Sequence, residues 1–292
     1  LDALKVEART KGERFFSEID IIELREFNHV LDSPPKYPNA QYADEIALVG
    51  ESVCDTVVDV LEDQGHCLIL SGDHSMAFAS ICGVKKAFPD KRLGIIWIDA
   101  HADLHSPYTS PTGNMHGMPL AMAAAEDNME SKINDPLEDA VEAWSKLKNT
   151  GVKGAKYEYR DLFYIGVRSV EKPEVALMEK NNITNVTVDE LRERGIAEVV
   201  KEAEAQLADC DLIYISFDVD SMDPSVSKGT GTPVEHGLTF EEAKELNTVL
   251  TSLPKVKAWE MVEINPTLDT ENRMAKHAYP ILKNVLANFQ NK

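Results

Sequence analysis

The chain has 292 residues, of which 43% are hydrophobic, and its formal net charge at pH 7 is −20. This length is sufficient to bury a large core and predicts one domain over residues 1–292. Such a negative charge repels nucleic-acid phosphates and anionic membrane surfaces, so we expect a small-molecule substrate, no nucleic acid and no membrane.

Short apolar runs along the chain predict buried strands. In chain order they are HCLILSG at 66–72, LGIIWID at 93–99, DLFYIGV at 161–167, DLIYISFDVD at 211–220 and KAWEMVEI at 257–264. Their hydrophobicity is continuous and does not alternate, which indicates strands that are covered on both faces. A parallel sheet between two layers of helices has this property.

Amphipathic segments lie between these runs and predict helices, among them segments that begin at Ala43, Glu241 and Ala278. The alternation of strand and helix predicts an α/β fold with a mostly parallel central sheet and right-handed crossovers. The polar stretch 127–160 is predicted to be a partly helical surface insertion, and the Pro-rich segment 31–42 an irregular loop.

Residue types that bind metals follow three of the predicted strands. They are His74 after the first strand, Asp99, His101 and Asp103 after the second, and Asp218 and Asp220 at the end of the fourth. The carboxyl ends of parallel strands form binding crevices. Alternate residues of an extended segment point the same way, so we expect these side chains to converge.

Four carboxylates and two imidazoles exceed the needs of one tetrahedral zinc, and buried carboxylates without cations would repel one another. Two divalent cations resolve both difficulties. A ligand set rich in oxygen suits Mn²⁺, with Co²⁺, Ni²⁺ and Zn²⁺ as alternatives. A single DxD or HxD motif is more often a cap or a turn, whereas the combination of three segments predicts a binuclear metal site.

Several motifs, in order and spacing, resemble the ureohydrolase superfamily. They are SGDHS at 71–75, DAHADLH at 99–105, GNMHGMPLA at 113–121, SFDVDSMDP at 216–224 and VEINPTLD at 262–269. The GNMHGMP segment is similar to the arginase branch. The DAHADLH and GVRSVE segments, with the helical insertion, are similar to arginases of bacteria that include the helicobacters. The resemblance implies a three-layer α/β/α fold.

The same resemblance implies hydrolysis of L-arginine to L-ornithine and urea by a hydroxide that bridges two Mn²⁺ ions per chain. Cobalt is the alternative metal, because the helicobacter group is reported to accept it. The resemblance further implies a homo-oligomer, either a trimer or a hexamer.

Roles for individual residues also come from the resemblance. One metal would be bound by His74, Asp99, Asp103 and Asp218, and the other by His101, Asp99, Asp218 and Asp220. Asp103 would orient the hydroxide and relay its proton, His116 would exchange protons with solvent, and Glu263 would pair with the substrate guanidinium.

The substrate-binding residues implied by the resemblance are His105, Thr112 and Asn114 for the α-carboxylate and Glu171 for the α-amino group. At two of these positions the chain departs from most arginases. His105 replaces an asparagine, and Glu171 replaces an aspartate. Arginine remains the expected substrate, because histidine can still donate to a carboxylate and a longer acid can still accept from an ammonium.

Three alternatives stay open. The first is hydrolysis of another guanidino compound, such as agmatine, guanidinobutyrate or a formimino-amino acid, at the same metals. The second is a non-catalytic member of the fold, and the third is a zinc-dependent deacetylase with a single metal. The filled set of ligand positions argues against the last two.

The cellular location is predicted from what the sequence lacks. No stretch approaches the roughly 18 apolar residues of a membrane span, and the charged first residues lack the apolar core of a secretory signal. The four cysteines show neither a CxxC pair nor the density of a disulfide-stabilised domain, which is typical of reduced thiols. We therefore expect a cytoplasmic protein.

Overall fold

A six-stranded, wholly parallel sheet forms the centre of the protein in a computed structural model that describes residues 1–292. The strands are β1 (Cys67–Leu70), β2 (Leu93–Ile98), β3 (Leu162–Ile165), β4 (Thr184–Val186), β5 (Leu212–Asp218) and β6 (Val256–Val262). Their order across the sheet is β1-β6-β5-β2-β3-β4. The predicted α/β fold with a parallel sheet is confirmed.

Ten α-helices surround the sheet. They are α1 (Asp2–Thr10), α2 (Ala43–Gln64), α3 (Ala77–Ala87), α4 (Pro119–Ala124), α5 (Glu138–Lys148), α6 (Lys172–Asn181), α7 (Val188–Arg194), α8 (Ile196–Gln206), α9 (Phe240–Ser252) and α10 (Arg273–Gln290). None of them combines the length and the apolar composition needed to cross a lipid bilayer.

Two separate hydrophobic cores lie on the two faces of the sheet. In β2, Ile95 and Trp97 point into a core shared with helices α2 to α6, while Ile96 and Ile98 point into a core shared with α1 and α7 to α10. All six residues of β2 are buried. A strand covered on both faces needs apolar residues at every position, which explains its continuous hydrophobic run.

The five predicted strands are all present, each somewhat shorter than its apolar run. Strand β4 was missed because it is only three residues long and lies at the sheet edge, where two of its residues are half-exposed. The last helix begins at Arg273, five residues before the predicted Ala278, and Met274 and Ala275 of its first turn are buried.

The chain reverses its direction across the sheet between β2 and β5. From β2 the chain adds β3 and β4 on one side, and it then returns to add β5 and β6 on the other side of β2. Loops after neighbouring strands diverge at such a switch point, and a crevice opens there at the carboxyl edge. The two segments richest in predicted metal ligands follow these two strands.

The stretch 127–160 contains α5, which contributes Ala140, Ala143, Trp144 and Leu147 to the core on the α2 side of the sheet. The indole Nε1 of Trp144 donates to Asp127 Oδ1 at 2.7 Å. One face of α5 therefore packs into the core on the α2 side of the sheet, and only the opposite face is exposed to solvent.

Because Leu147 is completely buried in this layer, we expect Leu147→Ala to lower the free energy of unfolding by about 2–5 kcal/mol. Urea-induced unfolding followed by circular dichroism measures the change. Ser145→Ala, at an exposed position of the same helix, is the control and leaves the stability unchanged. Equal stability of both variants would show that α5 does not belong to the core.

Candidate metal centre

The carboxyl ends of the central strands carry the polar side chains of the site. Asp99 follows β2 directly, Asp218 is the last residue of β5, and Glu263 follows β6. His74 begins a 3-10 turn after β1, and Asp220 lies in a 3-10 turn after β5. Strands β2, β5 and β6 thus each lead directly into an acidic residue where the backbone leaves the sheet.

His74 lies among three carboxylates. Its Nδ1 is 3.2 Å from Asp99 Oδ2, 3.1 Å from Asp103 Oδ2 and 3.0 Å from Asp218 Oδ2. The imidazole stacks on Trp97 with ring centroids 4.3 Å apart, and the indole Nε1 of Trp97 donates to Asp99 Oδ2 at 2.9 Å. Trp97 therefore orients both the imidazole of His74 and the carboxylate of Asp99.

His101 lies on the other side of Asp99. Its Nδ1 is 3.5 Å from Asp99 Oδ1 and 3.1 Å from Asp220 Oδ2. Asp99 therefore faces both imidazoles, one with each oxygen. Asp218 links the two halves as well, since its Oδ2 faces His74 and its Oδ1 accepts from the backbone N–H of Asp220 at 2.7 Å. The structure thus brings together all six residues predicted as ligands.

The pKa values of these groups show an excess of buried negative charge. Burial, together with repulsion from Asp220 and Asp99, raises the pKa of Asp218 well above its usual value. Burial lowers the pKa of His101, but hydrogen bonds with Asp220 and Asp99 outweigh it and raise this pKa to about 12. Both shifts arise because the buried carboxylates carry more negative charge than the nearby positive groups compensate.

These residues fit a pair of divalent cations. Four carboxylates and two imidazoles are buried or half-buried together, and buried charge without compensation is strongly unfavourable. The 3.0–3.2 Å separations around His74 Nδ1 are also suitable, because neighbouring ligands of an octahedral cation lie about 3 Å apart. Asp103 has a positive φ of 52°, which is strained for a non-glycine residue and typical of functional sites.

A second cluster lies beside this centre and consists of Asp73, His116 and Glu263. His116 Nδ1 is 3.5 Å from Asp73 Oδ2, and hydrogen bonding to Asp73 raises the pKa of His116 to about 9. Glu263 Oε1 accepts from the backbone N–H of His74 at 2.8 Å. Burial and the nearby Asp73 raise the pKa of Glu263 to about 7.

Only two of the four predicted substrate-binding residues, His105 and Glu171, contact each other through their side chains. His105 Nε2 is 3.0 Å from Glu171 Oε2, and its Nδ1 is 3.1 Å from Thr109 Oγ1. Both ring nitrogens of His105 therefore already have partners. Thr112 and Asn114 lie in the loop between His105 and His116, and the backbone N–H of Asn114 donates to Thr112 Oγ1 at 3.2 Å. Neither of their side chains hydrogen-bonds to His105 or Glu171.

The sequence patterns predicted no role for two acidic residues of the site. Asp73 stands beside His74 in the SGDHS segment, and Glu174 stands in GVRSVEKPE. Glu174 is buried and accepts from the backbone N–H groups of Leu104 and Glu171 at 3.1 and 3.0 Å. The capping-box spacing between Glu171 and Glu174 is the sequence signal that could have identified it.

Comparison with known proteins identifies the family. The sequence profile of the arginase family matches residues 9–287. The chain belongs to the arginase family. It is 33% identical to the arginase of Brevibacillus brevis over 85% of this chain and 77% of that protein.

Solved structures of arginases have the same fold. The Helicobacter pylori arginase aligns with a TM-score of 0.76 and 27% identity over 99% of this chain and 95% of that chain. The Entamoeba histolytica arginase in complex with L-ornithine aligns with a TM-score of 0.72 and 29% identity, over 87% of this chain and 81% of that chain. The expected similarity to arginases, the helicobacter enzyme among them, is confirmed.

Because His101 offers the only imidazole facing Asp220, we expect His101→Asn to reduce the metal content from two equivalents per chain to one and to lower turnover sharply. Elemental analysis after dialysis against Mn²⁺ measures the metal content. His236→Asn is a matched control at an exposed residue with a positive φ of 64°, which asparagine tolerates. Two bound metals in the His101 variant would contradict its assignment as a ligand.

Proposed function

We propose that this chain hydrolyses L-arginine to L-ornithine and urea at a pair of divalent cations. The observation that carries the proposal is the cluster of four carboxylates and two imidazoles at the carboxyl edge of the sheet, in a chain of the arginase family. The chain is proposed to act as one catalytic domain, in a cytoplasmic homo-oligomer of the trimer or hexamer type.

The ligands are assigned from the two halves of the cluster. His74, Asp99, Asp103 and Asp218 would hold one cation, and His101, Asp99, Asp218 and Asp220 the other. The oxygen-rich set favours two Mn²⁺ per chain, with Co²⁺ as the alternative. When bound, such a pair supplies Lewis acidity and makes water a nucleophile near neutral pH.

Asp103 is suited to handle the proton of the attacking water. Its carboxylate is buried beside His74, and burial together with repulsion from Asp99 raises its pKa. A carboxylate beside the attacking water can accept its proton and return it to the departing amine. Asp103 would therefore orient the water and relay its proton to the leaving group.

Glu263 is placed to bind the guanidinium of the substrate. Its Oε1 is occupied by the backbone N–H of His74, while its Oε2 faces Gly231, whose lack of a side chain leaves room beside the carboxylate. Carboxylate and guanidinium match in a charge-assisted, planar pairing. The positive φ of 67° at Glu263 aims this side chain, at some cost in backbone strain.

His116 would exchange protons between the site and solvent. Its side chain is 38% exposed, so one part of the ring reaches water while Nδ1 faces Asp73 inside the crevice. Imidazole is the side chain best suited to accept and donate protons near neutral pH. We therefore assign it the shuttling of protons between the site and solvent.

The amino-acid end of the substrate is assigned to the outer part of the crevice. Glu171 is 57% exposed and would accept from the α-ammonium group, with His105 fixing its carboxylate. Thr112 and Asn114, on the facing loop, are proposed to bind the α-carboxylate together with His105. His105 Nδ1 would exchange its contact with Thr109 for the carboxylate, while Nε2 keeps its contact with Glu171. Binding of L-ornithine by the Entamoeba histolytica arginase supports a site of this kind.

The test of the reaction is urea release from L-arginine by metal-stripped protein reloaded with Mn²⁺ or with Co²⁺. Agmatine and guanidinobutyrate are assayed in parallel, because they share the guanidinium and lack one of the groups at the amino-acid end. We expect urea from arginine alone. Cleavage of only another guanidino compound would refute the substrate assignment, and no cleavage of any compound would refute the reaction.

For Glu171→Ala we expect the KM for arginine to rise about 10- to 100-fold with kcat little changed, since a charge-assisted hydrogen bond to the substrate is lost. Steady-state urea release measures both constants. Glu179→Ala, which removes an exposed acid from the same helix, controls for the change in net charge. An unchanged KM in the Glu171 variant would rule out its role at the α-amino group.

A further inference from the structure

Arg168, in the GVRSVE segment, is half-buried beside the site and has no part in the proposed chemistry. All four hydrogen bonds of its guanidinium go to backbone carbonyls. Nε donates to Glu235 O at 2.9 Å and Nη1 to Gly166 O at 3.0 Å, while Nη2 donates to Asp220 O at 3.1 Å and to Val234 O at 2.8 Å. In a chain with a net charge of −20, this cation therefore connects backbone segments and pairs with no carboxylate.

The carbonyls belong to three segments that the proposed function uses. The first, residues 166–171, ends in Glu171, the proposed partner of the substrate α-ammonium. The second is the turn that contains Asp220, a proposed metal ligand. The third is the 229–235 loop, whose backbone passes beside the carboxylate of Glu263. One side chain thus joins the parts of the site that would hold the two ends of the substrate.

The backbone of the same residue adds a further connection. The N–H groups of Arg168 and Ser169 both donate to Ala100 O at 2.9 Å. Ala100 stands between Asp99 and His101, in the residues that follow β2. The 166–171 segment is therefore attached by its backbone to the turn after β2 and by the Arg168 side chain to the turn after β5.

The distance between the two ends of the site decides which substrate fits. In the proposed function the guanidinium pairs with Glu263, while the α-ammonium pairs with Glu171 on another segment. L-Arginine reaches both acids only if the two segments keep their spacing, and small displacements of a group that positions the substrate can reduce turnover greatly. A site that holds both ends can reject an analogue that differs by one methylene.

We propose that Arg168 is a positioning residue that sets the length of the guanidino amino acid accepted by the site. It holds the segment of Glu171 at a fixed distance from Asp220 and from the 229–235 loop; this inference rests on the proposed function. Arginine suits the task because its planar fork directs five N–H donors in fixed directions. The ammonium of a lysine is a point charge with three donors and cannot hold four carbonyls of three segments.

The first variant is Arg168→Lys, which keeps the charge. We expect the KM for L-arginine to rise about 10-fold. We also expect the preference for L-arginine over L-homoarginine, which is one methylene longer, to fall about 10-fold in kcat/KM. The kcat for arginine changes less, because Thr232 and the N–H of Ala100 still hold the Asp220 carboxylate. Steady-state urea release measures these constants, and a general loss of structure would lower both substrates alike.

The matched control is Arg192→Lys. Arg192 Nη2 donates to Gly237 O at 3.0 Å, just beyond the 229–235 loop, and the guanidinium also pairs with Glu242 on α9. This arginine thus contacts the same stretch of chain without reaching the 166–171 segment or the turn of Asp220. We expect its replacement to leave the KM and the preference for arginine unchanged.

Two further measurements separate positioning from packing. When Arg168→Lys is combined with Glu171→Ala, the KM for arginine should not exceed that of Glu171→Ala alone, because the positioned group is already absent. Hydrogen–deuterium exchange on the metal-stripped full chain should show faster uptake in residues 166–171 for Arg168→Lys and wild-type uptake there for Arg192→Lys. Arg168→Gln, which keeps two N–H donors, is measured in parallel, and circular dichroism verifies the fold of every variant.

The outcomes distinguish the two proposals. Wild-type protein that releases no urea from L-arginine would refute the proposed function itself. If the wild type is active, a wild-type KM and substrate preference in the folded Arg168 variants would overturn the positioning role alone. An additive effect with Glu171→Ala, the same changes in Arg192→Lys, or failure of both Arg168 variants to fold would assign Arg168 to the stability of the fold and overturn it as well.

Discussion

The need to compensate buried negative charge is the constraint on which the rest of this structure depends. Asp99, Asp103, Asp218 and Asp220 are all buried within one crevice, and only two imidazoles lie among them. Carboxylates are rarely buried together unless cations or donors balance them. A site of this composition is therefore organised around positive charge, whether that charge belongs to a metal or to the guanidinium of a substrate.

The parallel sheet makes this concentration of charge possible. Because all six strands end at one edge, residues from distant parts of the chain meet where the backbone leaves the sheet. Backbone groups then hold the carboxylates in place: Asp99 Oδ1 accepts from the N–H of His101, and Asp218 Oδ1 from the N–H of Asp220, each at 2.7 Å. The strained conformations of Asp103 and Glu263 are tolerated because the surrounding core is rigid.

The burial of the site decreases from its inner to its outer end. The inner carboxylates are anchored to strands and stacked against a buried tryptophan, whereas Glu171 caps a surface helix and the loop carrying Thr112 and Asn114 is partly exposed. In the proposed function, the groups that act on the guanidinium are held by the strands, and substrate selection falls to exposed segments at the outer end. The pairing of His105 with Glu171 joins two positions at which this chain departs from most arginases.

The sequence by itself determined the parallel α/β fold and the six residues of the candidate metal site, because both depend on local patterns. Continuous apolar runs mark strands buried on both faces, and carboxylates and imidazoles grouped at their ends mark the site. The extended alternation expected there is wrong in detail, because Asp220 lies in a 3-10 turn and Asp103 has a positive φ. Only the tertiary structure decided the rest: the edge strand β4, the buried face of α5 and the contact of His105 with Glu171. These depend on which strands and loops become neighbours, and strand order arises from packing across the whole chain.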